Sequence, residues 1–116
     1  MQIPDAQLER RLSSLRQLIG DYAQAKRNRV YLEQFRKVKK AQLMRVAESN
    51  GVNALAAQER EAYSHSEYLE VINGLAEATE AEAQAWWLLQ MEEWKFEAWR
   101  TRMASERAEK NRYGAG

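Results

Sequence analysis

The chain has 116 residues, 45% of them hydrophobic and 30% charged, with a net charge of +1, which suits a single folded domain rather than a disordered segment. It holds no cysteine, one proline and five glycines, so disulfides and thiolate metal centres are excluded and helix is favoured throughout. The opening MQIPDAQLERRLSS lacks the basic-then-apolar pattern of a secretory leader, and no run approaches the roughly 18 apolar residues of a membrane span; a cytoplasmic protein is expected.

The first element is expected over about residues 5–49. Asp5, after Pro4, can cap its start, and Leu8, Leu12, Leu15, Ile19 and Tyr22 then recur at spacings of four and three. Those spacings return side chains to one face, as in a coiled-coil seam. The pattern blurs at Lys26 and resumes with Val30 or Tyr31, Phe35, Val38, Gln42 and Met44. Gly20-Asp21 is a weak point, since glycine costs a helix interior about 1 kcal/mol relative to alanine, and a bend is expected there. Asn50-Gly51 is a strong stop, because glycine tolerates the left-handed conformation that closes many helices.

A short helix follows at about 53–63, with Asn53 as its cap. Ser64 and Glu67 then have the S-x-x-E spacing of a capping box, in which each side chain satisfies an orphan amide of the next helix. That third element is expected over about 66–112, with YGAG as a frayed tail. Two long helices joined by a short one make an all-α antiparallel helical hairpin, coiled-coil-like, a single domain with a thin core that is expected to assemble into a bundle.

Charge is uneven along this path. Lys26–Arg45 carries eight basic residues against Glu33 alone, and Glu48–Glu82 carries eight acids against Arg60 alone. In a hairpin turning near 51–65 the basic segment lies alongside about 67–90, so the two runs can cancel one another and set the register. The alternative is a phosphate-contacting stripe of Lys26, Arg29, Arg36, Lys37 and Lys40, interrupted by Glu33.

All four tryptophans fall within AWWLLQMEEWKFEAWR, residues 85–100. At 100° per residue, Trp87, Met91, Trp94 and Ala98 share one helix face. Leu88, Leu89, Phe96, Trp99 and Met103 share a second face nearly opposite, with Trp86 between them. A helix with one partner needs one apolar stripe, whereas two stripes need two partners. Helix 1 supplies only one, so Trp87, Met91, Trp94, Phe96 and Trp99 are the candidate oligomer or partner interface, with a homo-oligomer, dimer or higher, as the economical resolution. A docking patch for another protein, and base stacking beside Arg100 and Arg102, are the alternatives.

No phosphate loop, dinucleotide fingerprint, zincin motif or EF-hand loop occurs. The single histidine, His65, sits in a turn as an exposed or capping residue, and no Glu-x-x-His pair of the di-iron bundles is present. No catalytic residue, metal ligand, cofactor or small-molecule substrate is therefore assigned, and a non-enzymatic binding role is expected.

The segments YLEQFRKVKKAQLM (31–44), AAQEREAYSHSEYLE (56–70) and EAWRTRMASERAE (97–109) resemble a group of small all-helical bacteriophage and prophage proteins of unassigned function, often encoded among early recombination and replication genes. The resemblance implies a bacterial host cytoplasm and a link to phage DNA metabolism or host interference; it transfers no residue role. Three functions follow as expectations: an accessory protein assisting DNA recombination or replication by binding DNA or a DNA-bound phage or host protein; an inhibitor or adaptor directed at a host enzyme or defence complex; and a structural scaffold.

Overall fold

The computed structural model describes residues 3–114. It is all-helical: α1 spans Ile3–Ser49, α2 Leu55–Ser64 and α3 Ser66–Gly114, with the short α2 joining the two long helices. No strand occurs among the described residues, and none of the described helices is long and apolar enough to cross a membrane. α1 begins at Ile3, ahead of the expected start. The cap expected of Asp5 lies outside the described side chains, as does Ala115-Gly116 of the tail, whereas Tyr113 and Gly114 are helical rather than frayed. α1 also runs unbroken through Gly20, because good helix formers on both sides outweigh the modest cost of one exposed glycine.

By internal contacts the chain divides into a turn unit, residues 23–84, and a terminal unit, residues 1–22 with 85–116. In the turn unit α1 ends in a Schellman motif. The Val52 amide donates to the Ala47 carbonyl at 3.0 Å and the Gly51 amide to the Glu48 carbonyl at 3.0 Å. Gly51 has φ +96°, a conformation that costs a residue with a Cβ and fits the expected stop.

The caps around α2 differ from the expected ones. Ala54, not Asn53, occupies the N-cap and makes no side-chain cap bond. Buried Gln58 instead donates its Nε2 to the carbonyls of Val52 at 2.9 Å and Asn53 at 3.4 Å, tying the loop to the helix. At the next junction Ser64 bonds back to the Arg60 carbonyl at 2.8 Å, so it cannot serve the expected capping box. His65 takes that place: its Nδ1 accepts the Glu67 amide at 3.1 Å. An imidazole nitrogen two residues before the orphan N–H does the work of a serine hydroxyl.

The core of the turn unit is small. Leu43, Ala62 and Tyr68 form it at 5%, 0% and 9% exposure, with Met44 and Ile72 packed against them. Tyr63 meets the Tyr68 ring edge-on at 5.4 Å. Running out from this cluster, the inward line of α1 is Ala25, Arg29, Leu32, Arg36, Lys39 and Leu43, with Phe35 and Met44 half-buried beside it, and that of α3 is Tyr68, Val71, Leu75, Ala78 and Glu82. Both sets alternate spacings of three and four. This corrects the register expected for α1: Val30, Tyr31, Val38 and Gln42 are exposed. Long cationic side chains, Arg29, Arg36 and Lys39, occupy the facing positions in their stead, their methylene stems suited to covering apolar surface. The charged ends of Arg29 and Lys39 reach Glu82 and Glu67 of α3.

In the terminal unit the inward residues are Leu8, Leu12, Leu15, Leu18 and Tyr22 from α1 and Leu89, Phe96, Trp99 and Met103 from α3. Leu18 replaces the expected Ile19, which points to solvent. Trp99 is the hub: its Nε1 donates to the Gln7 side chain at 3.4 Å, its ring lies 5.8 Å from Phe96, and the Arg11 guanidinium sits 5.4 Å above it.

Candidate interaction surfaces

The basic segment expected to contact phosphate is divided by the fold. Arg29 donates from Nε and Nη2 to the Glu82 carboxylate and from Nη1 to Glu33 at 2.9 Å. A two-point guanidinium–carboxylate contact of this kind fixes geometry as well as charge. Its pKa is raised above the ordinary arginine value, first by the bond to Glu82 and then by Glu33. Glu33, which interrupts the stripe in sequence, is thus a working partner of Arg29. Lys39 lies 3.6 Å from Glu67, and Lys40 lies 3.6 Å from Glu59 with its ammonium 4.8 Å from the centre of the Tyr63 ring. Tyr63 first, and Glu59 after it, raise the Lys40 pKa against the opposing effect of burial.

Lys26 and Lys37 remain exposed, and Arg36 is half-buried. The five residues therefore do not form one surface. The internal pairing of the basic and acidic runs holds at Arg29, Lys39 and Lys40. Glu82, the partner of Arg29, lies within the 67–90 stretch expected to run beside the basic segment.

The tryptophan segment is also divided, along the angles read from its sequence. Phe96 and Trp99 belong to the inward seam. Trp87, Met91 and Trp94 are 53%, 46% and 58% exposed on the other side of α3. Trp86 and Leu88 are exposed as well, the second contrary to the inward placement expected of it. The exposed rings touch one another: Trp86 and Trp87 are 4.7 Å apart and near-perpendicular, and Trp87 and Trp94 are 6.2 Å apart. Together these five side chains leave on the order of 500 Å² of apolar surface in water, given about 150–250 Å² per aromatic. Patches of this size on monomers are commonly functional.

A third feature escaped sequence reading. Arg10 and Arg11 of α1 and Arg102 of α3 line one groove of about 380 Å³, with Trp99 and Glu92. No ion pair among the described residues engages any of the three arginines. Arg10-Arg11 is a lone basic pair in its stretch and Arg102 is remote in sequence, so only the pairing of α1 with α3 in this unit brings them together. A second, larger groove of about 720 Å³ has Leu8, Phe96, Trp99 and Met103 among its apolar lining, with Arg100, Arg107 and Lys110 around it.

His65 serves the backbone, and no group of three or more potential metal-ligating side chains occurs among the described residues. No protein-family model matches the chain, and no curated protein or solved structure matches it significantly. The functional argument accordingly rests on the chain's own residues.

Proposed function

We propose that this protein is a non-enzymatic helical hairpin with coiled-coil-like packing that works by protein association, as an adaptor, inhibitor or scaffold, through the tryptophan face of α3. One observation carries the reading: Trp87, Met91 and Trp94 are left in solvent on a helix whose other side already has its partner. Large aromatics in a contiguous exposed set are costly to solubility and characteristic of interface centres, where tryptophan is enriched. The setting proposed from the resemblance, a phage or prophage protein acting in the host cytoplasm, is compatible with either a host target or a phage assembly.

The test places a photo-crosslinking residue at position 94 and, as a control, at exposed Gln42. Irradiation in the expressing cell is expected to give a discrete protein adduct from position 94 and none from position 42. Absence of an adduct at 94, or equal adducts from both, overturns the reading.

A second reading is nucleic-acid binding in support of DNA recombination or replication. It draws on Arg10, Arg11 and Arg102 of the terminal unit, whose guanidinium forks suit phosphate oxygens. It competes poorly with the first, because Arg29, Lys39 and Lys40 are engaged by acids of the same chain. In titrations with single- and double-stranded DNA, a set of three phosphate contacts gives a log–log salt slope near −2 on single strands, at about −0.7 per contact. No binding at about 50 mM salt, where such contacts are strong, excludes it.

A further inference from the structure

We infer that the occupant of the tryptophan face is a second copy of this chain, seated with the two α3 helices side by side and parallel. The inference rests on the association reading above and names its partner.

The spacing of the face is the first ground. Trp87, Met91, Trp94 and Ala98 follow one another at four, three and four residues, the repeat by which two helices keep one seam in contact over successive turns. Trp87 and Trp94 take one of the two seam positions, Met91 and Ala98 the other. A large ring next to a small alanine leaves room for the ring of the facing helix to interdigitate. The seam is a convex strip and not a pocket: neither groove of this unit includes Trp87, Met91 or Trp94. A helix is what such a strip accommodates.

The area is the second. About 500 Å² of apolar surface, counting Trp86 and Leu88 beside the seam, is more than half of the roughly 800 Å² per partner of a standard stable interface, and the polar side chains around it add to that area.

Charge on the rim selects both the identity and the direction of the partner. Along one edge of the seam lie Leu88, Lys95 and Arg102; along the other lie Gln90, Glu97 and Ala104. All the charged members are exposed, and within one copy Glu97 accepts from Arg100 of its own helix at 3.1 Å, a solvated pair of the kind that holds its side chains only weakly. When two copies pair in parallel, each edge meets the opposite edge of the partner, five residues further on. Glu97 of one copy then faces Arg102 of the other, twice by symmetry, and Gln90 faces Lys95. When they pair antiparallel, like edges meet, which brings Lys95 and Arg102 toward the same residues of the partner. The rim is complementary to itself in one direction only.

Sedimentation equilibrium on the full chain, from micromolar to hundreds of micromolar, tests this. The unmodified protein is expected to form dimers, and Trp87→Lys with Trp94→Lys to be monomeric with an unchanged helical circular dichroism signal. Glu97→Lys alone and Arg102→Glu alone are each expected to weaken the dimer roughly fivefold, two symmetry-related exposed pairs being lost at once. The double exchange Glu97→Lys, Arg102→Glu is expected to restore it. A protein monomeric at every concentration overturns the inference, as does a dimer indifferent to the tryptophan changes or an exchange that fails to restore. The crosslink at position 94 separates the two levels of the argument. An adduct of twice the chain mass supports both, an adduct of another mass leaves the association reading standing and ends this one, and no adduct ends both.

Discussion

A Leu43→Ala variant is expected to lose about 2–4 kcal/mol of unfolding free energy, the range for deleting a well-buried leucine with partial collapse of its cavity. The size of the effect follows from how few such residues there are. Leu43, Ala62 and Tyr68 form the buried cluster of the turn unit, where Ala47 and Gln58 are the other buried side chains, and they join three separate helices: Leu43 is on α1, Ala62 on α2 and Tyr68 on α3. Domains are held by only about 5–15 kcal/mol in total, so a leucine at this junction accounts for a large share.

Ala62→Leu probes the same place from the opposite side. Ala62 has no exposed surface, and added methylenes there have to displace neighbours, at about 1–3 kcal/mol. Val38→Ala is the control. It lies on the same helix as Leu43 but faces solvent, and its change is expected to stay within about 0.5 kcal/mol. Urea denaturation followed by circular dichroism gives all three values. Equal losses from Leu43→Ala and Val38→Ala would move the core to the face that sequence periodicity first favours.

That contrast also marks where the sequence is legible and where it is not. In the α1 part of the terminal unit, leucines and a tyrosine at helical spacing carry the seam, and Ile19 and Leu18 exchange places, as Leu88 gives way to Leu89 on α3, because adjacent aliphatics 100° apart give a pattern count no means of choosing between them. From Lys26 onward the periodicity of apolar residues is right only at Phe35 and Met44, which are half-buried, Met44 against the core cluster. Val30, Val38 and Tyr31 are apolar and outside, while Arg29, Arg36 and Lys39 are charged and turned inward. The inward placement of a cation depends on an acid that is close in space and distant in sequence, such as Glu82 for Arg29. Sign complementarity between two runs shows that such partners exist and does not show which stems lie flat.

The turn is a smaller case of the same kind. Ser64 and Glu67 have the right spacing for a capping box, yet His65 accepts the amide because Ser64 is already bonded within α2. The tryptophan angles, by contrast, needed only the geometry of one helix, and they predicted which of Trp87, Met91, Trp94 and Trp99 would lie on opposite sides. The arginine groove needed two helices in register and could not be seen from either alone.

The division of the tryptophans leads to the second large effect. Trp99→Ala is expected to cost about 2–3 kcal/mol, less than full removal of a buried tryptophan because the ring is half-buried. The variant loses the tilted ring contact with Phe96, the cover given by Arg11 and the bond to Gln7 together. Trp94→Ala, whose ring is mostly in water within one copy, is expected to change stability by less than about 0.5 kcal/mol at high dilution. The same residue type, five positions apart on one helix, thus gives unequal losses in thermal or urea unfolding.

Concentration then distinguishes the two faces. A contact within the chain contributes equally at every protein concentration, so the Trp99→Ala loss is expected to be constant. A contact made to another copy stabilises by mass action and grows as the protein is concentrated. The Trp94→Ala loss is therefore expected to rise from near zero at low micromolar protein as the dimer becomes the folded species. A Trp94→Ala loss that is large and independent of concentration would put that ring inside the chain's own packing and leave α3 with one apolar face instead of two.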